Sequence, residues 1–156
     1  MTSPLRRLKG ISYWVLDNPE DIHEFVNTNL KKEWENDAKS EGRDSKSDPW
    51  LLSLSQTRWH LAIVNVETVE QSPNIVNYVN PNSGYDFSKS LVKRVENLRR
   101  AIEQGDSVIW PLVVREKDTR LVDGYCRLAT LREMKIPQAY AYLGTPARTS
   151  RKLAQY

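Results

Sequence analysis

The sequence predicts a small α/β fold, a mixed sheet with helices carrying an N-terminal strand-helix extension, and three observations carry that prediction. Apolar residues recur at spacings of three and four in some segments and alternate or run together in others, the periods of helix and strand respectively. Clusters of proline, glycine and asparagine separate those segments. The length of 156 residues, with 28% charged and 39% apolar, suits one domain and leaves little room for two.

In chain order, Ser12 to Leu16 reads as a strand, and Asp17, Asn18 and Pro19 form a cap-and-proline start for a helix to about Glu35. Ile22, Phe25, Val26, Leu30 and Trp34 share one face of that helix, which is therefore expected to be its core face. Asp37 to Pro49 is polar and of mixed charge, the composition of a surface loop. Trp59 to Val66 reads as a strand, and Gln71 to Gly84 as a loop with a short extended piece at Ile75 to Val79.

A helix is expected from Asp86 or Ser88, with Phe87, Leu91, Val95, Leu98 and Ile102 as its buried stripe and Gly105 as its stop. Lys89, Lys93, Arg94, Arg99 and Arg100 crowd its other positions and read as a solvated basic face. Val108 to Val114 is a strand interrupted by Pro111, Glu116 to Arg120 a charged turn, and Leu121 to Val122 a further strand. Leu128, Ala129, Leu131 and Met134 have helical spacing up to Lys135, and Gln138 to Leu143 alternates as the last strand. The expected organisation is an extension over residues 1–56 packed on a core of residues 57–144, followed by a basic tail over 145–156.

Charge and cysteine usage exclude several functions. The net charge is +3, but residues 1–56 carry 8 basic and 10 acidic side chains and the rest 15 and 10, so the positive field belongs to the C-terminal part. No run approaches the roughly 18 to 20 apolar residues of a membrane span, and no apolar segment follows the basic residues near Met1, so neither membrane insertion nor export is expected. Cys126 is the only cysteine, which excludes an internal disulfide, a cysteine-based zinc site and an iron–sulfur cluster held by this chain alone, and fits a cytoplasmic protein. With only His23 and His60, a three-histidine metal site is excluded as well.

The most informative segment is Leu121-Val122-Asp123-Gly124-Tyr125-Cys126-Arg127-Leu128-Ala129, where a strand ends on glycine and a helix starts at once. Free N–H groups and the positive dipole end of that helix make an anion site, glycine admits a phosphate close to the main chain, and Arg127 in the first turn can clamp it with two hydrogen bonds. A plain structural turn has the same sequence signature.

The turn sits in a longer order: Ala101-Ile102 with Gly105 closing a helix, then Pro111 to Val114, a hairpin, and Asp123-Gly124-Tyr125-Cys126-Arg127 followed by Leu128-Ala129. Over residues 57–144 this order resembles the ParB/sulfiredoxin superfamily, and the Asp-Gly-x-x-Arg form resembles its free-serine kinases. The resemblance implies a nucleotide-binding fold in which Gly124 and Arg127, with Tyr125 and Cys126 between them, hold nucleotide phosphates. It implies Asp123 beside the phosphates, and Arg94 and Asn97 facing the turn from the preceding helix. The implied cofactors are ATP or another nucleotide and Mg2+, with Asp123 as the metal ligand.

The departures are equally specific. Tyr125 occupies the sulfiredoxin cysteine position and Cys126 stands one place later, so sulfinic-acid reduction is not expected and Cys126 reads as a small helix residue. Tyr125 and Cys126 also replace the histidine pair of the serine kinases. Residues 145–156 hold no helix-turn-helix, so site-specific partition binding is not expected of this chain alone.

Phosphotransfer to a small-molecule acceptor would need a carboxylate for magnesium or for the acceptor proton, and Asp123, Glu67 and Glu70 are the candidates. Trp14, Trp34, Trp50 and Trp59 read as core or as base-stacking residues, and Trp110 as the floor of a base pocket or as packing beneath the sheet. The resemblance thus implies a nucleotide-binding protein, with a phosphotransferase acting on a small molecule as its enzymatic version. The alternatives are a DNA-associated binding protein or nuclease, and a degenerate module acting only through protein contacts.

Overall fold

The structure is a computed structural model and describes residues 5–40, 56–71, 86–105 and 107–146, with the main chain alone at 33–40, 86–90 and 146. Among these residues the architecture is mixed α+β with two sheets. The chain opens with a hairpin that the sequence reading missed, β1 (Leu5–Leu8) against β2 (Ile11–Trp14). Its two-residue loop places Lys9 at φ 51° and Gly10 at φ 81°, the paired positive angles of a tight hairpin turn.

Helix α1 (Pro19–Ser40) begins where Asn18 and Pro19 predict, with the Asn18 side-chain oxygen accepting from the Glu20 N–H at 2.9 Å. It runs past Glu35, so residues 37–40 of the expected loop are helical, and the remainder of that loop lies outside the described residues. The long strand β3 (Thr57–Asn65) ends in a single 3-10 turn, Val66–Thr68. The extended piece expected at Ile75 to Val79 and Trp50 lie outside the described residues.

Helix α2 (Asp86–Glu103) buries Leu91 and Val95 and leaves Leu98 and Ile102 partly buried, as its stripe predicts. Gly105 closes it at φ 77° with a hydrogen bond to the Ile102 carbonyl. The expected strand Val108 to Val114 is two strands, because Pro111 has no N–H for a ladder. Strand β4 (Val108–Ile109) pairs with β2, whereas β5 (Leu112–Arg115) lies in the other sheet.

Strand β6 (Arg120–Asp123), helix α3 (Tyr125–Glu133) and strand β7 (Gln138–Pro146) complete the domain. Strand β7 extends through Thr145, the first residue of the expected tail, and residues 147–156 lie outside the described ones. The three-stranded sheet has the order β1-β2-β4 and the four-stranded sheet β3-β7-β5-β6, with β5 and β7 parallel and the β3–β7 and β5–β6 pairs antiparallel.

Two apolar clusters hold these elements together. In one, Ile11, Tyr13 and Val15 from the N-terminal segment pack with Leu112, Val114, Leu121, Leu128 and Ala141. In the other, Ile22, Val26 and Leu30 of α1 pack with Trp59, Val113 and Tyr142. Because β5 alternates its faces, Val113 meets α1 while Leu112 and Val114 meet the opposite side. This placement sets α1 over β5 and the start of α3, and creates the cleft described next.

Candidate functional site

The β6–α3 junction is built around Gly124. Its backbone sits at φ 107° and ψ 31°, and a Cβ there would come within 2.9 Å of Arg127 Nη2 and 3.1 Å of Leu112 Cδ2. Any side chain would therefore be strained and would collide with the guanidinium folded over the turn. Gly124 caps α3 without a side-chain hydrogen bond, and the first helical bond runs from the Leu128 N–H to its carbonyl. The N–H groups that precede Leu128 therefore form an uncapped helix N-terminus.

Arg127 stands in that first turn. Its guanidinium donates to Asp123 Oδ2 at 3.3 Å and to the Trp110 carbonyl at 3.3 Å, with the side chain 18% exposed and that of Asp123 32%. Both bonds are long for a charged donor, and the cation lies at the positive end of the helix dipole, an arrangement an incoming anion would relieve. The Arg127 charge also reaches the buried hydroxyls of Tyr13 and Tyr142 and opposes the upward push that burial gives both.

Asp123 and Arg127 line a cleft of about 240 Å³ whose other walls come from two elements. Trp110, Pro111 and Val113 contribute one stretch of the lining, and Phe25, Val26, Asn29 and Leu30 of α1 another, the two adjoining where Phe25 packs on Trp110. The Phe25 and Trp110 rings lie 4.6 Å apart at 30°, and Trp14 meets the edge of Trp110 at 6.2 Å. Trp110 keeps 39% of its surface exposed and Trp14 41%. The volume falls below the roughly 300 to 1,000 Å³ of cavities that engulf a small ligand, so the cleft takes part of one and leaves the rest outside.

Of the residues singled out from sequence, Asp123, Gly124 and Arg127 converge on this cleft. Tyr125 turns the other way: its ring packs on the core around Ile11, Leu112 and Leu128, and burial raises its hydroxyl pKa. Cys126 is half-buried in the first turn of α3, and its carbonyl accepts from Thr130 Oγ1 at 2.7 Å. Arg94 and Asn97 are exposed on α2, and neither is among the residues lining the cleft.

Glu67 is exposed on the 3-10 turn. That turn docks on Arg132 in the last turn of α3, whose guanidinium donates to the Val66 and Val69 carbonyls. Glu67 and Asp123 are thus at opposite ends of a helix about 13 Å long. Phe25 and Asn29 are the lining residues that the sequence does not single out for the site. Phe25 belonged to the visible stripe, but nothing in sequence tied that stripe to a turn about a hundred residues later.

For magnesium, Asp123 is the one carboxylate among the described residues lining the cleft, and it is already paired with Arg127. No group of three potential metal ligands occurs among the described residues. This fits an ion arriving on phosphate oxygens with one protein carboxylate, and does not fit a site made by the protein alone. No described helix is long and apolar enough to cross a membrane.

No family model matches the chain, and no curated protein matches it. Its fold is similar to solved structures of a pNOB8-like ParB N-domain. One superposes with a TM-score of 0.41 at 14% identity over 62% of this chain, and another with a TM-score of 0.41 at 16% identity over 60%. The matched part spans about a third of those chains, 34% and 30%.

Proposed function

We propose that the protein binds a nucleotide through its phosphates at the Gly124–Arg127 turn. The observation that carries this reading is the placement of Arg127: a largely buried guanidinium at an uncapped helix N-terminus, held by two 3.3 Å bonds and facing an open cleft. A phosphate there would gain the helix N–H groups and a charge-assisted clamp together. Magnesium would arrive with the phosphates, with Asp123 as its protein ligand. Phosphoryl transfer to a small-molecule acceptor extends the reading, and Asp123, where it is not engaged with magnesium, is the carboxylate that would take the acceptor's proton.

The runner-up, DNA association through the positively charged C-terminal part, has less to support it on α2, the basic helix within that part. Arg99 pairs with Glu133 at 2.5 Å and Arg100 with Glu96 at 2.6 Å, so two of its four described cations are already matched by carboxylates.

The test is a thermal-shift panel of ATP, ADP, CTP and GTP with and without magnesium, followed by titration of each hit, since a ligand of the native state raises its stability. Arg127→Ala should weaken nucleotide binding by about 1.5 to 3 kcal/mol, the worth of a hydrogen bond to a charged group, and leave the protein folded. Unchanged affinity in the folded variant rejects the site. No shift with any nucleotide, together with steeply salt-dependent DNA binding, selects the runner-up.

A further inference from the structure

Two neighbouring tryptophans, Trp14 and Trp110, are each about two-fifths exposed, and Trp110 lines the cleft, which calls for an explanation that core packing does not provide. Trp110 is held at its backbone, since its carbonyl accepts from Arg127, while 39% of the residue faces solvent. Phe25 lies against it at 4.6 Å, so that the two rings form one wall directly beside the guanidinium.

A second, more open groove of about 330 Å³ shares Phe25 and Asn29 with the cleft and continues over α1 past Asp21, Glu24 and Thr28. The two grooves differ in charge: one ends on Arg127 and the helix dipole, the other on two carboxylates. A polyanion leaving the cleft along α1 would be repelled by Asp21 and Glu24, whereas an uncharged group carrying hydroxyl or amino donors would be accepted. The ligand direction follows from that difference, with its charged end at Arg127 and its neutral end over α1.

Accepting the phosphate reading above, we infer that the Phe25–Trp110 wall is the nucleoside half of the site. The base stacks on the exposed Trp110 ring, and the sugar lies toward the groove of Asp21 and Glu24. Every base has a face to stack, so this wall gives affinity more than choice among bases. Single-stranded DNA or RNA also stacks on tryptophan, but its backbone would have to run past the two carboxylates.

The experiment is isothermal titration of the full chain with ATP and with inorganic tripolyphosphate, which has the charge but no base, for the wild type, Trp110→Leu, Trp110→Phe and Phe25→Leu. Trp110→Leu should lose about 5- to 100-fold in ATP affinity, the range for removing one base–aromatic stack, and Phe25→Leu, which removes the ring packed on Trp110, a smaller part of it, with tripolyphosphate affinity unchanged in both. Trp110→Phe, which keeps a ring, should retain most of it. ATP affinity unchanged in folded Trp110→Leu overturns the stacking wall and leaves the phosphate site standing. If the wild type binds neither ligand, the phosphate reading fails first and this inference with it. A parallel titration with single-stranded oligonucleotide that binds tighter than ATP, and is lost in Trp110→Leu, assigns the wall to a polymer and overturns the mononucleotide reading.

Discussion

The two walls of the cleft were unequally visible in the sequence. The wall from Pro111 to Arg127 is local: a proline that splits a strand, a glycine between strand and helix, and an arginine four residues after an aspartate, all within 17 residues. Those short-range constraints are set by backbone sterics and by one helical turn, and sequence spacing reports both. The wall from α1 comes from packing. Phe25 meets Trp110 across 85 residues because Ile22, Val26 and Leu30 dock against Trp59, Val113 and Tyr142. An amphipathic stripe announces that it will be buried and carries no address for where.

The same distinction explains the other differences. The β1 strand has no alternating pattern in Leu5-Arg6-Arg7-Leu8, and its turn uses Lys9 where asparagine or aspartate would have signalled a hairpin. Helix α1, by contrast, was legible at its start, where Asn18 caps it, and not at its end. The motif places Tyr125 beside the ligand, but the helix period turns its ring to the core.

The largest expected effect lies in the local wall. Gly124→Val puts a β-branched residue at φ 107° and drives its Cβ into Arg127 and Leu112. Left-handed strain and overpacking together should cost about 3 kcal/mol of stability, read by urea unfolding. A loss below about 1 kcal/mol would mean that the turn relaxes freely and that the glycine does not hold the site's shape.

The N-terminal segment can be tested through Tyr13, fully buried on β2 among residues of the main core. The Tyr140 main chain approaches its hydroxyl, but no hydrogen bond of proper geometry forms. Burial first, and the neighbouring Tyr140 second among the raising influences, push its pKa from 10.0 to about 12. The folded state then holds a proton that the unfolded chain releases, so this contribution to stability is intact below pH 10.0 and declines as pH rises toward about 12. At 1.36 kcal/mol per pKa unit the loss is on the order of 3 kcal/mol. Tyr13→Phe should flatten that alkaline decline in a pH series of chemical unfolding, and should match or exceed wild-type stability at pH 7, since it deletes a buried unpaired hydroxyl. An unchanged alkaline slope would place the titration elsewhere and remove the evidence that β2 is as deeply set as the strands around it.

The smallest effect separates two roles for Asp123 and so bears on how the walls cooperate. Its carboxylate occupies Arg127 at 3.3 Å across a partly exposed surface, a pairing worth about 0.5 to 1 kcal/mol. If Asp123 only holds the guanidinium until an anion arrives, Asp123→Asn frees Arg127 and nucleotide affinity without magnesium rises about 2- to 5-fold. If it is also the protein's ligand for magnesium on the phosphates, the same variant loses the added affinity that magnesium confers on the wild type. Titrating ATP into Asp123→Asn with and without magnesium resolves the two. A rise without the metal and no further gain with it assigns both roles to Asp123, whereas a rise in both conditions leaves it a placeholder for the phosphate. A fall in both would mean that the aspartate positions Arg127 for the ligand, and the local wall would then be preorganised by its own ion pair.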